Sequence, residues 1–271
     1  MTEHLARLFY LGTRYHGSQY QPTVRTVQGE VIKAVSLWSG EEHSSRTIRF
    51  SGRTDRGVHS FGQVVQISTD SSLDLDRINK HLPPDIIFWA SVKAPEGFQA
   101  RYNALLRHYR YYLDDTWNNV DLDEVRSATE HLIGCNDFSP LSKPDGDRNT
   151  VTAVLNMKLV KKPGGFYLDV FGTSFLWKFV RKAVTLLYWV GNGKMDSTSI
   201  PAILQESEDI LPSGIRPAAP EGLVLVETVV PVRFHKSRHA IESMKRFLES
   251  QAEFHKRCQI TLKGVVSLFS A

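Results

Sequence analysis

Phe50-Ser51-Gly52-Arg53-Thr54-Asp55-Arg56-Gly57-Val58-His59 lies between two β-leaning segments, residues 46–50 before it and 63–67 after it. It therefore reads as a loop joining a strand pair. Gly52 and Gly57 let the backbone turn sharply and come close to a partner. Arg53 and Arg56 favour the ionised form of Asp55, because a neighbouring positive charge stabilises a carboxylate anion. A charged Asp presented this way can serve as a nucleophile. The same residues equally describe an Arg–Asp ion pair that ties a hairpin together.

Outward from this loop, strand and helix signals alternate twice. Residues 8–11 read as a strand, and Thr26 as the N-cap of a helix with Val27, Val31, Ala34, Val35 and Trp38 on one face. Asp74 caps a short helix that Pro83-Pro84 stops, and 86–92 is a further strand. The second round opens with a strand at 106–113 and a helix capped by Asp121 and closed by Gly134. A hairpin of 151–160 with 166–171 turns at Pro163-Gly164-Gly165, and a helix is expected over 175–190. A polar helix near 200–205 and a strand at 223–229 follow, and the tail from Arg238 reads as helical through Ile241, Met244, Phe247 and Leu248. This pattern predicts an α+β protein, its mixed or antiparallel sheets covered by helices on one face. The expected division is 1–104, carrying the Asp loop, 105–235, and a basic helical tail over 236–271.

A chain of 271 residues, 41% apolar and 23% charged, can bury a large core. No run of 18 apolar residues is present, so no membrane span is expected, and Met1-Thr2-Glu3-His4 lacks the features of a signal peptide. Cys135 and Cys258 stand far apart, outside any CxxC spacing, as expected for reduced thiols in a cytoplasmic protein. The net charge of +4 is uneven: the basic excess lies in residues 1–110 and in the tail. Such a distribution suits a polyanionic partner and equally suits a mixed solvated surface. No metal-ligand spacing, phosphate-binding glycine loop or Ser-His-Asp arrangement stands out.

Three further features carry chemistry. The segment 175–187 is apolar nearly all round and should be buried, yet it contains Arg181. A buried guanidinium without a carboxylate costs several kcal/mol. Asp55 is the partner assigned to it; Asp169 and Asp137 are the competing acids, and an outward-reaching Arg181 is the alternative. Residues 101–112 interleave arginines and tyrosines, with Arg107, Tyr109 and Tyr111 on one face of a strand and His108, Arg110 and Tyr112 on the other. Guanidinium and aromatic groups together suit RNA, although tyrosines are common in any sheet. His59 is either a polar contact for a ligand or a structural residue.

Taken in order, these segments resemble the TruA-type tRNA pseudouridine synthases. Residues 52–59 are similar to the pattern GRTDxGVH, and Thr26-Val27-Gln28-Gly29-Glu30 to TVQGxLE. Asn79-Lys80-His81-Leu82-Pro83-Pro84-Asp85-Ile86 resembles LNxxLPxDI, and 98–111 resembles FHARFSAxxRxYxY. Residues 134–139, 175–184 and 219–223 resemble GxHDFxSF, FLxxMVRxMV and APxxGL. The stretch 10–19 departs from the family's YDGSxFxGWQ, losing an Asp and a Trp; Arg56, Gln99 and Thr185 replace a usual Ala, His and Gly.

The resemblance implies that Asp55 is catalytic, Arg181 its pairing arginine, Tyr109 a base contact, and Arg53 the residue that displaces the target nucleotide. It implies two α+β domains lining a basic central cleft, usually in a homodimer, acting on tRNA, with the anticodon stem-loop as target. Substrate and product are isomers, so no cofactor is expected. Backbone contacts to the RNA are assigned to Arg14, Arg107 and the tail, with His59 beside them. The runner-up is a non-catalytic RNA-binding protein or RNA chaperone that uses the cleft only to bind.

Overall fold

The computed structural model describes residues 1–146, 149–205 and 214–269. Strands β1 (Thr2–Tyr10), β2 (Ile48–Phe50), β3 (His59–Thr69) and β4 (Ile86–Lys93) come from the first part of the chain, with helices α1 (Val27–Ser39) and α2 (Leu75–Asn79). The second part supplies β5 (Leu106–Tyr112), β6 (Gly134–Asp137), β7 (Val151–Lys162), β8 (Gly165–Gly172) and β9 (Leu223–Val229). Its helices are α3 (Leu122–His131), α4 (Phe179–Gly191) and α5 (Ile200–Gln205); β10 (His235–Lys236) and α6 (Arg238–Ser267) close the chain.

Among the described residues, ten strands form one sheet in the order β10-β4-β1-β3-β9-β5-β8-β7-β6, with β2 added beside β3. Every pairing is antiparallel except β3 with β9, where the first and second parts of the chain meet. That junction fixes which face the helices share. Tyr10 packs with α1, pairs with Ser60, and Ser60 pairs with Leu225, which packs in the core of α3, α4 and α5. Laddered residues point to the same side of a sheet. Helices α1 to α5 therefore lie on one face, as expected, and the loop between β2 and β3 meets the start of α4 and the segment before α1.

The tail helix takes the opposite face. Ile86 and Phe88 pack with α1 and α2, whereas the alternate residues Ile87 and Trp89 pack with Ala240, Ile241, Met244 and Phe247 of α6. The last two turns of contact end near Leu248, and beyond it Phe254, Leu262, Val265, Val266 and Phe269 are exposed. Among the described residues no helix is long and apolar enough to cross a membrane.

The expected caps form: Thr26, Asp74 and Asp121 accept from Gly29, Arg77 and Asp123 amides. Several boundaries differ from the sequence reading: the first strand, read over 8–11, runs over Thr2–Tyr10. The helix expected over 175–190 begins only at Phe179, because Lys178 adopts left-handed backbone with φ 68°. Gly134 does more than end α3: it opens β6, a short polar edge strand on β7 that no apolar alternation announces.

Candidate active site

Asp55 stands on the loop 51–58, and almost every residue around it is strapped down. Ser51 hydrogen-bonds through its amide to the Val64 carbonyl at 2.8 Å and through its hydroxyl to Gln63 Oε1 at 2.6 Å. Gln63 Nε2 in turn donates to the Gly52 carbonyl at 2.8 Å. The Thr54 amide donates to Ser18 Oγ at 2.8 Å, the Ser18 amide returns a bond to the Thr54 carbonyl at 3.1 Å, and the Thr54 hydroxyl meets Tyr10 Oη at 2.8 Å. Burial pushes the Tyr10 phenol up to about 12, so it stays neutral. Gly12 packs so tightly under the loop that a Cβ there would lie 2.0 Å from the Val58 carbonyl oxygen. Gly57 has φ 85°, which lets the loop turn back toward His59.

Arg181 enters from the first turn of α4. Its Nη1 donates to Asp55 Oδ2 at 3.0 Å and its Nε to the Ala218 carbonyl at 2.6 Å; the Ala218 amide bonds back to the Arg181 carbonyl at 3.0 Å. Only 11% of the arginine side chain and 19% of the aspartate side chain are exposed, so little solvent screens the pair. A cation in the first turn opposes the helix dipole, so this arginine is not placed there for the helix. Both competing acids are committed elsewhere. Asp169 accepts from His108 and, through two oxygens, from Arg110 on the far face of the sheet. Asp137 accepts from the Ser139 amide.

The ion pair lies in a cleft of about 1340 Å³ whose lining includes Arg53, Arg56, Arg101, Arg107, Tyr109, Lys178 and Arg181. Tyr109 is buried on β5, edge-on to Phe175 with centroids 5.4 Å apart. Burial, with Tyr10 and Asp55 nearby, holds its phenol far above the ordinary value, so it acts as a neutral hydroxyl. Arg53 is exposed at the mouth, its Nη1 3.8 Å from Asp145 across the cleft.

The structure thus brings together Asp55, Arg181, Tyr109, Arg53 and Arg107, but it changes several roles. Asp55 takes its ion-pair partner from α4 and not from the flanking Arg53 or Arg56. Arg107, read as a contact for the RNA backbone, directs its guanidinium at the carbonyls of Thr173 (2.6 Å), Ser51 (2.9 Å) and Arg101 (3.2 Å), tying the two sides of the cleft. His59 is engaged at both ring nitrogens: Nδ1 accepts from the Gly12 amide at 3.0 Å and Nε2 faces the Glu221 carbonyl at 3.1 Å. Burial lowers its pKa, in keeping with a neutral ring that clasps three loops. Arg14 is exposed outside the cleft lining. Lys182, next to Arg181 on α4, donates to the Ser142 carbonyl at 2.5 Å.

Other motif residues prove to be fasteners. Gln28 Nε2 donates to the Ile48 carbonyl, Asn79 bonds both backbone groups of Phe88, and Asp85 accepts from the buried Tyr15 hydroxyl at 2.6 Å. Ser18 and the Ala218 carbonyl were not legible as site residues, because backbone-directed bonds leave no signature in residue type.

Residues 128–231 match the family model described as tRNA pseudouridine synthase. The chain is 37% identical over 254 residues to a tRNA pseudouridine synthase A of Methanosarcina acetivorans, covering 93% of this chain and 91% of the relative. It is 40% identical over 223 residues to the like-named protein of Methanosarcina mazei, covering 81% of each. To that of Pyrococcus abyssi it is 33% identical over 248 residues, covering 90% of this chain and 91% of the relative.

Proposed function

We infer the role of each site residue from one premise: this chain belongs to the tRNA pseudouridine synthase family, and it isomerises uridine in tRNA to pseudouridine. Isomerisation breaks the bond from N1 to C1′, turns the uracil, and joins C5 to C1′. We propose Asp55 as the residue that opens this sequence. The observation that carries the assignment is its 3.0 Å pairing with Arg181 inside a cationic cleft. Attack on C1′, proton removal from the sugar to give a glycal, and addition to C6 all start from the carboxylate anion. Arg181 holds that anion in one orientation through a charge-assisted hydrogen bond, itself fixed by the Ala218 carbonyl.

The uridine must leave its stack to reach Asp55, at a cost of a few kcal/mol. Arg53, exposed at the mouth, fills the vacated space. Tyr109, neutral and facing the cleft, stacks on the uracil and holds the turned base in place. Residues 1–104 and 105–235 supply the two walls, and Arg107 links them. We assign the target to the anticodon stem-loop, whose unpaired loop lowers the cost of extrusion. A homodimer in the cytoplasm completes the reading, supported by the family resemblance and by the two unpaired cysteines.

Pseudouridine mapping of tRNA transcripts before and after treatment with the purified protein tests this reading. New pseudouridines in the anticodon stem-loop are expected. Their absence from that arm would overturn the target, and their absence from the whole tRNA would favour the runner-up, a protein that only binds.

A further inference from the structure

Among the uncovered aromatic rings that line the same cavity as Asp55, two lie beside cations: Trp177 is 39% exposed and Tyr102 76%. Uncovered apolar surface within a concave site marks a place where something binds. Each ring also carries cations. Lys143 Nζ lies 4.2 Å from the Trp177 ring centroid, Lys178 Nζ lies 5.7 Å from it, and the Arg101 guanidinium is 5.9 Å from Tyr102.

The position of Trp177 is built, not incidental. The Lys143 amide donates to the Trp177 carbonyl at 2.8 Å, locking the two segments together. Leu176 and Phe179 on either side are buried, while the left-handed backbone of Lys178 turns the intervening pair outward. Among the described residues Lys178 is the one non-glycine with positive φ, and strain of this kind gathers at ligand-binding sites. Arg107 bonds both the Arg101 and the Thr173 carbonyls, so the stretches bearing Tyr102 and Trp177 are tied by one side chain.

We propose that Trp177 and Lys143 form a subsite for an unpaired nucleotide adjoining the target uridine, with Tyr102 and Arg101 extending the same strip. The base stacks on the exposed part of the indole and its phosphate meets the lysine ammonium, the combination by which single-stranded RNA is held. The proposal rests on the reading of this cleft as the tRNA site.

Binding is measured in an Asp55→Asn background, so that turnover does not intervene. The probes are an anticodon-arm stem-loop and a fully paired duplex of the same length. Trp177→Ala and Trp177→Leu should each weaken stem-loop binding about tenfold and leave the duplex unchanged; Trp177→Phe should keep most of the affinity. Leucine retains apolar volume without a π face, so it decides the matter if the alanine variant folds poorly. Lys143→Gln should lower the slope of log K against log salt by about one ion. In the Asp55-bearing enzyme the leucine variant should raise KM rather than lower kcat. Stem-loop affinity within about twofold of the parent for Trp177→Leu overturns the subsite, as does an equal loss on the duplex. If the unaltered chain releases no tritium from tRNA labelled at uridine C5, the reading of the cleft fails instead.

Discussion

Arg181 has two partners, one that matters for chemistry and one that holds it in place. Replacing it by Met leaves Asp55 without its counter-charge and the Ala218 carbonyl without a donor. Removing one member of a largely buried pair destabilises more than the pair itself contributes, here by about 2 kcal/mol. Arg181→Met should therefore lose activity and also shift its denaturation midpoint; an unchanged midpoint would contradict the buried pairing. His59 makes a different prediction. Its folded pKa is lowered by burial, so protonation favours the unfolded chain. The clasp is intact above the ordinary histidine value near 6.5 and weakens as pH falls through it toward the lower folded value. His4 and His43 are lowered too, and add to the acid sensitivity in the same sense. The informative quantity is thus a difference: His59→Gln should show a shallower loss of thermal stability than the parent between about pH 6.5 and 5. Parallel curves would place His59 outside the linkage. At this scale the sequence was a good guide to residue type and a poor one to role. Asp55 and Arg181 pair as the cost of a buried guanidinium required and Tyr109 lines the same cleft, yet Arg107 and His59 serve backbone groups that no side-chain pattern reveals.

The loop 51–58 owes its rigidity to elements distant in sequence: β1 through Tyr10, the segment after it through Gly12 and Ser18, and β3 through Gln63. Gly12→Ala tests that dependence, because the added methyl would meet the Val58 carbonyl at 2.0 Å with backbone on both sides. A loss of about 2 kcal/mol in urea titration is expected, with activity falling further as Asp55 is displaced. Full activity would show that the loop does not need this support. The start of α4 illustrates what periodicity misses. Residues 175–178 share the apolar character of the helix, but the left-handed Lys178 separates them from it and turns Trp177 outward. Hydrophobic spacing reports which side chains are buried, and is silent about one backbone dihedral. Strands β6 and β10 were missed for a related reason: they are short, polar and at edges, where pairing with a neighbour rather than burial defines the strand.

In the whole molecule, one parallel contact between β3 and β9 makes a single sheet of two sequence halves and sets the Asp55 loop opposite the first turn of α4. Contacts across 126 residues of chain are legible only through a chemical argument, in this case the cost of a buried guanidinium. The α+β class and the common face of α1 to α5 followed from alternation and caps. The placement of α6 on the opposite face did not, since its apolar stripe fits any flat partner. Truncation after Phe247 keeps the docked residues Ala240, Met244 and Phe247 and removes turns whose large apolar side chains, among the described residues, are exposed. Thermal stability should stay within about 1 kcal/mol of the full chain; collapse of the fold would mean that the outer helix has an intramolecular partner. The central claim concerns the carboxylate in the cleft, and it is tested most directly by tritium release from tRNA labelled at uridine C5. Asp55→Asn should release none in a single turnover while binding tRNA within several-fold of the unaltered chain, whereas undiminished release would contradict the account.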